Sequence, residues 1–162
     1  MLKTQDELLN LLSEIGIKYK NYEHPPVYTV EEADKHHEGI EGVHSKNLFF
    51  KDRKDNLFLV VTLSDKQINI KDIAKKIDAK NPSFAKPELL FEVMGITPGA
   101  VTPFAVVNIK DHKVKIVLDE EMMQYKILNF HPLVNTATTT INSDDLVKFI
   151  EHCNQKAEII CL

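Results

Sequence analysis

The chain has no tryptophan, two cysteines among 162 residues, and only five glycines. Each shortage excludes something. Walker, dinucleotide and G-x-S-x-G patterns are all missing, so neither a phosphate-cradling loop nor a nucleophile elbow is expected. Cys153 and Cys161 read as two reduced thiols, and neither has a neighbouring His or acidic pattern that would mark a nucleophile. No apolar run approaches the roughly 20 residues needed to cross a bilayer. Met1 to Glu7 is polar and runs directly into a helical pattern, without the apolar stretch of a signal peptide. A cytoplasmic protein is therefore expected. Strong charge of either sign is also lacking. The formal balance of −4 argues against a general nucleic-acid binder, which needs a broad basic surface.

What is present is ordinary globular composition, 43% hydrophobic and 27% charged, in a length that suits one domain over residues 1–162. The charge is unevenly spread. Between positions 44 and 86 ten basic residues face five acidic ones, leaving +5 there and −9 elsewhere. Such a stretch suits contact with a short run of phosphates and nothing longer.

Thr4-Gln5-Asp6-Glu7 is a capping box, followed by leucines at helical spacing and stopped at Gly16. Ile17 to Glu23 reads as extended, and His24-Pro25-Pro26 forbids helix locally. Thr29-Val30-Glu31-Glu32 is a second capping box. Positions 46–50 and 57–63 read as a strand hairpin. Asn69 caps a helix through Ile77, and Pro87 opens another to Met94 that Gly95 closes. Positions 104–109 and 114–118 read as a further hairpin, 136–141 as a β-branched strand, 142–145 as the start of a last helix, and 158–162 as an edge strand. Strands and helices do not alternate as a parallel βαβ series requires. The expected class is α+β, one domain around a mixed, curved, barrel-like sheet flanked by helices.

Three segments carry candidate chemistry. Lys46 lies in an apolar strand on the face of Leu48 and Phe50, where an ammonium is costly without a partner; a snorkelling edge lysine is the bland alternative. Ile96 to Phe104 contains Pro98-Gly99 and Pro103, a stiffened loop of small side chains whose N–H groups a ligand can approach. Phe130 to Thr138 contains His131 before a proline, with Asn135 and Thr138 as hydrogen-bonding groups or ordinary strand-entry residues. His36-His37-Glu38 with His44 lacks zinc spacing and reads as surface, and no metal site is expected. Asp119-Glu120-Glu121 likewise reads as acidic surface.

Taken in order, His24 to Thr29, Ser45 to Phe49, Ser83-Phe84, the Gly99 loop and the His131 segment resemble the YbaK/ProX family of aminoacyl-tRNA deacylases. That family shares its fold with the editing insertion of bacterial prolyl-tRNA synthetases. The resemblance spans nearly the whole chain and is closest to the free-standing branch that removes alanine from tRNA for proline. Ala105 stands where the family pattern suggests glycine, and Lys80-Asn81-Pro82 where it suggests arginine.

The resemblance implies an ester hydrolase that needs no cofactor, in which water attacks with help from the substrate's own ribose hydroxyl. It assigns Lys46 and His131 as catalytic. Thr29, Asn47, Gly99, Ala100, Pro103 and Asn135 fall to substrate binding, with Lys76 and Lys80 as weaker tRNA contacts. The implied partners are the acceptor end of tRNA for proline carrying alanine, together with prolyl-tRNA synthetase or an elongation factor; neither membrane nor DNA is implied. Two alternatives stand beside this reading: a deacylase for cysteine on the same tRNA, and a non-catalytic tRNA- or synthetase-binding module.

Overall fold

A computed structural model describes residues 2–26 and 39–162. Thr29, its capping box and the His36-His37 pair lie outside the described residues.

Helix α1 (Gln5–Glu14) forms as its sequence requires. Thr4 accepts from the Glu7 N–H while the Glu7 carboxylate takes the Thr4 N–H, and Leu8 and Leu12 are fully buried beneath it. Gly16 follows at φ +82°, a left-handed turn that a side chain would strain. Strands β1 (Tyr19–Glu23), β2 (Val43–Lys51) and β3 (Leu57–Leu63) come next, with β2 and β3 antiparallel. Every residue of β3 is buried, the mark of a central strand covered on both faces. Asp52 closes the β2–β3 loop by accepting the N–H groups of Lys54, Asn56 and Lys80. Burial alone would raise its carboxyl, but these hydrogen bonds outweigh burial and hold it below the usual carboxylate range.

Helix α2 (Ile70–Ile77) carries the Asn69 cap, and α3 (Pro87–Met94) opens on Pro87 and closes on left-handed Gly95. The two-residue strand β4 (Ser83–Phe84) joins the end of β2. Strand β5 (Val114–Asp119), helix α4 (Glu120–Met123), strands β6 (Ile127–Phe130) and β7 (Ala137–Asn142), helix α5 (Ser143–His152) and strand β8 (Ala157–Ile160) complete the order. The sheet runs β1-β7-β6-β2-β3-β5-β8, mixed in direction, with β8 at one edge. The α+β class with a mixed sheet flanked by helices is what the sequence leads one to expect.

One expected strand is absent. Pro103–Asn108 is a 3₁₀ helix, and β5 pairs in parallel with β3 and β8 instead of forming a hairpin with it. Pro103 fixes a helical φ at the first position, and the Thr102 hydroxyl takes the Phe104 N–H. Phe104, Ala105 and Val106 are buried completely, and a short apolar run buried on all sides shows no period that separates helix from strand.

The acidic triplet needs a second correction. Asp119 is fully buried: it accepts from the Thr62 hydroxyl and from the Lys66 ammonium at 2.8 Å, while Glu121 takes the same ammonium at 2.6 Å. Burial alone would raise the Asp119 carboxyl, but those hydrogen bonds hold it below its ordinary value.

Two cores divide the sheet. The larger holds Phe49, Leu59, Val61, Phe104, Phe130 and Phe149 under α1, α3 and α5; the smaller holds Phe50, Phe58, Val60 and Val117 against Ile73 and Ile77 of α2. Side chains alternate along β2, so Phe49 belongs to the first core and Phe50 to the second. That alternation governs the site.

Candidate active site

Strand β2 meets β6 in parallel through Val43 and His44, and β6 meets β7 antiparallel. The join is held by Asn129, which is 2% exposed. Its amide N–H₂ donates to the carbonyls of Glu41 and Val43, and its Oδ1 accepts from the Thr140 hydroxyl. Its main-chain carbonyl accepts from Ser45 Oγ at 3.1 Å. Because a carbonyl only accepts, the Ser45 proton is committed there, and Ser45 Oγ must accept from Asn47 Nδ2, 3.1 Å away. This relay fixes the Asn47 amide. Its Oδ1 is then buried without a donor among the described residues, an arrangement that costs about 1–3 kcal/mol if nothing ever supplies one.

His131 follows β6. Its Nδ1 lies 2.9 Å from the Ala137 carbonyl, so Nδ1 carries the hydrogen and Nε2 is a bare acceptor in the neutral ring. Burial pushes the imidazole below its ordinary range, against the opposing Ala137 bond. His24 lies beside it, ring centroids 6.3 Å apart. The His24 backbone N–H donates to the Thr136 carbonyl, its Nδ1 lies 2.9 Å from the Pro25 carbonyl, and its Nε2 lies 2.9 Å from Thr138 Oγ1. Ser45, Asn47, His131 and Thr138 line one small cleft with His44, Asn129 and Phe130, of about 30 Å³. Larger grooves of about 560 and 620 Å³ lie elsewhere; the second takes in Ser83-Phe84, and among the described residues neither contains one assigned from sequence to catalysis or binding.

The remaining sequence candidates divide. Gly99 sits against Asn135, where an added Cβ would come within 3.1 Å of Asn135 Nδ2. Ala100 is buried in the large core and Pro103 is buried beside Phe104, and the Ala100 N–H already donates to the Thr97 carbonyl. That amide is used by the turn itself. Lys46 leaves β2 on the face opposite Asn47 and donates to the Lys66 carbonyl. Exposed Lys76 and Lys80 belong to the same side, on α2 and just after it, with Lys80 3.5 Å from Asp78. The structure thus brings Asn47 and His131 into one cleft and Gly99 up to Asn135, and it sets the three lysines on the α2 face. Reasoning from sequence missed His24, Ser45 and Asn129. The signal for His24 was its place immediately before Pro25-Pro26; for Asn129 there was none beyond adjacency to Phe130.

Residues 24–149 match the aminoacyl-tRNA editing domain. The chain belongs to that family. Its members hydrolyse the ester between an amino acid and tRNA, and this protein is an aminoacyl-tRNA deacylase whose substrate includes tRNA. It is 37% identical over 161 residues to the prolyl-tRNA synthetase associated domain-containing protein 1 of Xenopus laevis, covering 96% of this chain and 95% of that one. It is also 37% identical over 143 residues to the prolyl-tRNA editing protein ProX of Acetoanaerobium sticklandii, covering 86% of each. A crystal structure described as a candidate trans-editing enzyme for prolyl-tRNA synthetase superposes over 100% of this chain with a TM-score of 0.72 at 18% identity, which establishes the shared fold.

Proposed function

We propose that the protein removes alanine from mischarged tRNA for proline, and that the cleft between β2, β6 and the start of β7 takes the small aminoacyl head. The observation that carries this is the meeting, in one cleft, of Asn47, whose Oδ1 is fixed and has no donor among the described residues, with a half-buried His131 whose Nδ1 is taken by the Ala137 carbonyl. The cleft has room for about one or two water-sized groups, which suits a methyl-bearing head better than a pyrrolidine ring. A synthetase site built for proline excludes alanine poorly, since each missing methylene changes binding by only about 1–3 kcal/mol. A second, smaller site supplies the missing discrimination by size.

The ester is already activated, and water attacks its carbonyl. His131 Nε2 accepts a hydrogen from that water or from the free ribose hydroxyl, and orients it. Gly99, with no side chain, lets Asn135 stand close beside its turn and face the acceptor end. Lys46 leaves β2 on the face away from the cleft, so in the scheme its ammonium leaves the Lys66 carbonyl to meet the terminal phosphate of the acceptor end. The names of the Xenopus and Acetoanaerobium relatives support proline as the tRNA identity.

Incubating the protein with tRNA for proline charged separately with alanine, cysteine and proline tests the reading. Selective loss of alanine is expected. Selective loss of cysteine moves the assignment to that amino acid, and no loss from any of the three leaves a binding module of the same fold. A Lys46→Ala protein that clears alanyl-tRNA at the normal rate removes the lysine from the mechanism.

A further inference from the structure

The same cleft contains a hydrogen-bonding pattern that the hydrolytic scheme does not use. Two of its polar side chains offer acceptors. The Asn47 amide is locked with Nδ2 on Ser45 and Oδ1 buried without a donor among the described residues, because the Ser45 proton is committed to the Asn129 carbonyl. Thr138 is locked by a parallel device. The Pro25 carbonyl obliges His24 Nδ1 to carry a hydrogen, so in the neutral ring Nε2 is the acceptor and the Thr138 hydroxyl donates to it at 2.9 Å. With its one proton held by His24, Thr138 Oγ1 can only accept from a group in the cleft.

Resting on the deacylase reading above, we infer that Asn47 Oδ1 and Thr138 Oγ1 form the receptor for the α-ammonium of the aminoacyl ester, with His24 as the positioning residue that fixes the Thr138 hydroxyl. Two fixed acceptors in one small cleft call for a ligand head with at least two hydrogens to give. A ribose hydroxyl has one, and the attacking water has two but gives one of them to His131. A primary ammonium has three, and it sits one carbon from the ester carbonyl attacked by the water that His131 orients. Desolvating the orphaned Asn47 oxygen is then compensated only when an unmodified amino acid arrives. Esters and amides without that amine leave at least one acceptor unanswered.

The test separates binding from turnover. Binding is measured with two non-hydrolysable probes, adenosine carrying alanine through a 3′-amide and the same compound carrying lactate, where a hydroxyl replaces the amine. At least tenfold weaker binding of the lactamide is expected; equal binding overturns the receptor whether or not the protein turns over. Turnover is measured on alanyl-tRNA and lactyl-tRNA, each normalised to its uncatalysed hydrolysis. Absence of any alanyl-tRNA loss counts against the deacylation reading alone.

Thr138→Val is expected to raise KM for alanyl-tRNA about tenfold with a smaller effect on kcat, and to leave the residual rate on lactyl-tRNA unchanged. Thr138→Ser, which keeps the hydroxyl, restores the alanyl value. His24→Ala should reproduce the KM effect in part, and in combination with Thr138→Val add nothing to it. Equal losses on both esters, or independent losses for the two substitutions, overturn the role given to the pair.

Discussion

His131 is a side chain whose environment and proposed task agree. Desolvation keeps its ring neutral, the Ala137 carbonyl chooses the tautomer, and the residue lines the cleft. Its pKa lies below the ordinary value of about 6.5, so the rate of deacylation should stay level through neutral pH and fall only as the acid range is entered. Stability follows the same sign. The unfolded chain binds the extra proton more readily, so the group's contribution is complete above its unfolded pKa and drains as pH falls through the folded one. His131→Ala should lower kcat by about 10²- to 10⁴-fold and abolish the acidic limb of the profile; an unchanged limb assigns that limb to another group. Asp119 gives a separate prediction. Replacing it with Ala leaves the buried Thr62 hydroxyl unpaired and removes one of two carboxylates from Lys66. A loss of about 3 kcal/mol is expected in urea denaturation, the lower end for breaking a buried pair. Sequence made a surface of Asp119 because three consecutive acids look solvated; only the fold shows that the first of them ends a buried strand.

At the scale of elements, most of the fold was legible and the reasons are local. The Thr4 box, the Asn69 cap, Pro87 and Gly95 each state a helix boundary in residues whose hydrogen-bonding or dihedral preference is specific. Strand β3 was legible from unbroken β-branched and apolar character. The segment 103–108 was not, because its burial on every side removes the period on which the reading depends. β6 was also missed: four residues are too short to show alternation, and its partners lie far away in sequence. The turn at Pro98–Ala100 carries the element-scale prediction. Gly99→Val crowds Asn135 Nδ2, the far end of a side chain that can move. The thermal midpoint should change little while activity falls about as far as in Asn135→Ala, and the double variant should be no worse than either single one. Additive losses in that cycle would show that the turn and Asn135 act separately.

For the molecule as a whole, the partner is a polyanion and the net charge is −4. The basic excess is confined to positions 44–86, which fold into β2, β3, α2 and β4. Affinity for tRNA should therefore weaken with salt less steeply than for a general RNA binder. Lys76→Ala with Lys80→Ala should flatten the log–log slope by about 1–2 and lower affinity without changing which amino acid is removed. A slope unchanged by both substitutions would place the phosphates elsewhere. The layout of the site was the least legible feature at this scale. Sequence names Lys46 and Asn47 side by side, and only the pleat reveals that one reaches toward Lys66 and the other toward His131.

That neighbouring pair makes β2 intolerant of a change in length. Deleting or inserting a single residue between Val43 and Asn47 would exchange inside for outside along the whole remaining strand. The cleft would then receive an ammonium in place of an amide, and both hydrophobic cores would trade their phenylalanines. Point substitutions can be absorbed there one at a time, but a change in spacing cannot, so insertions and deletions belong in the loops at either end of the strand.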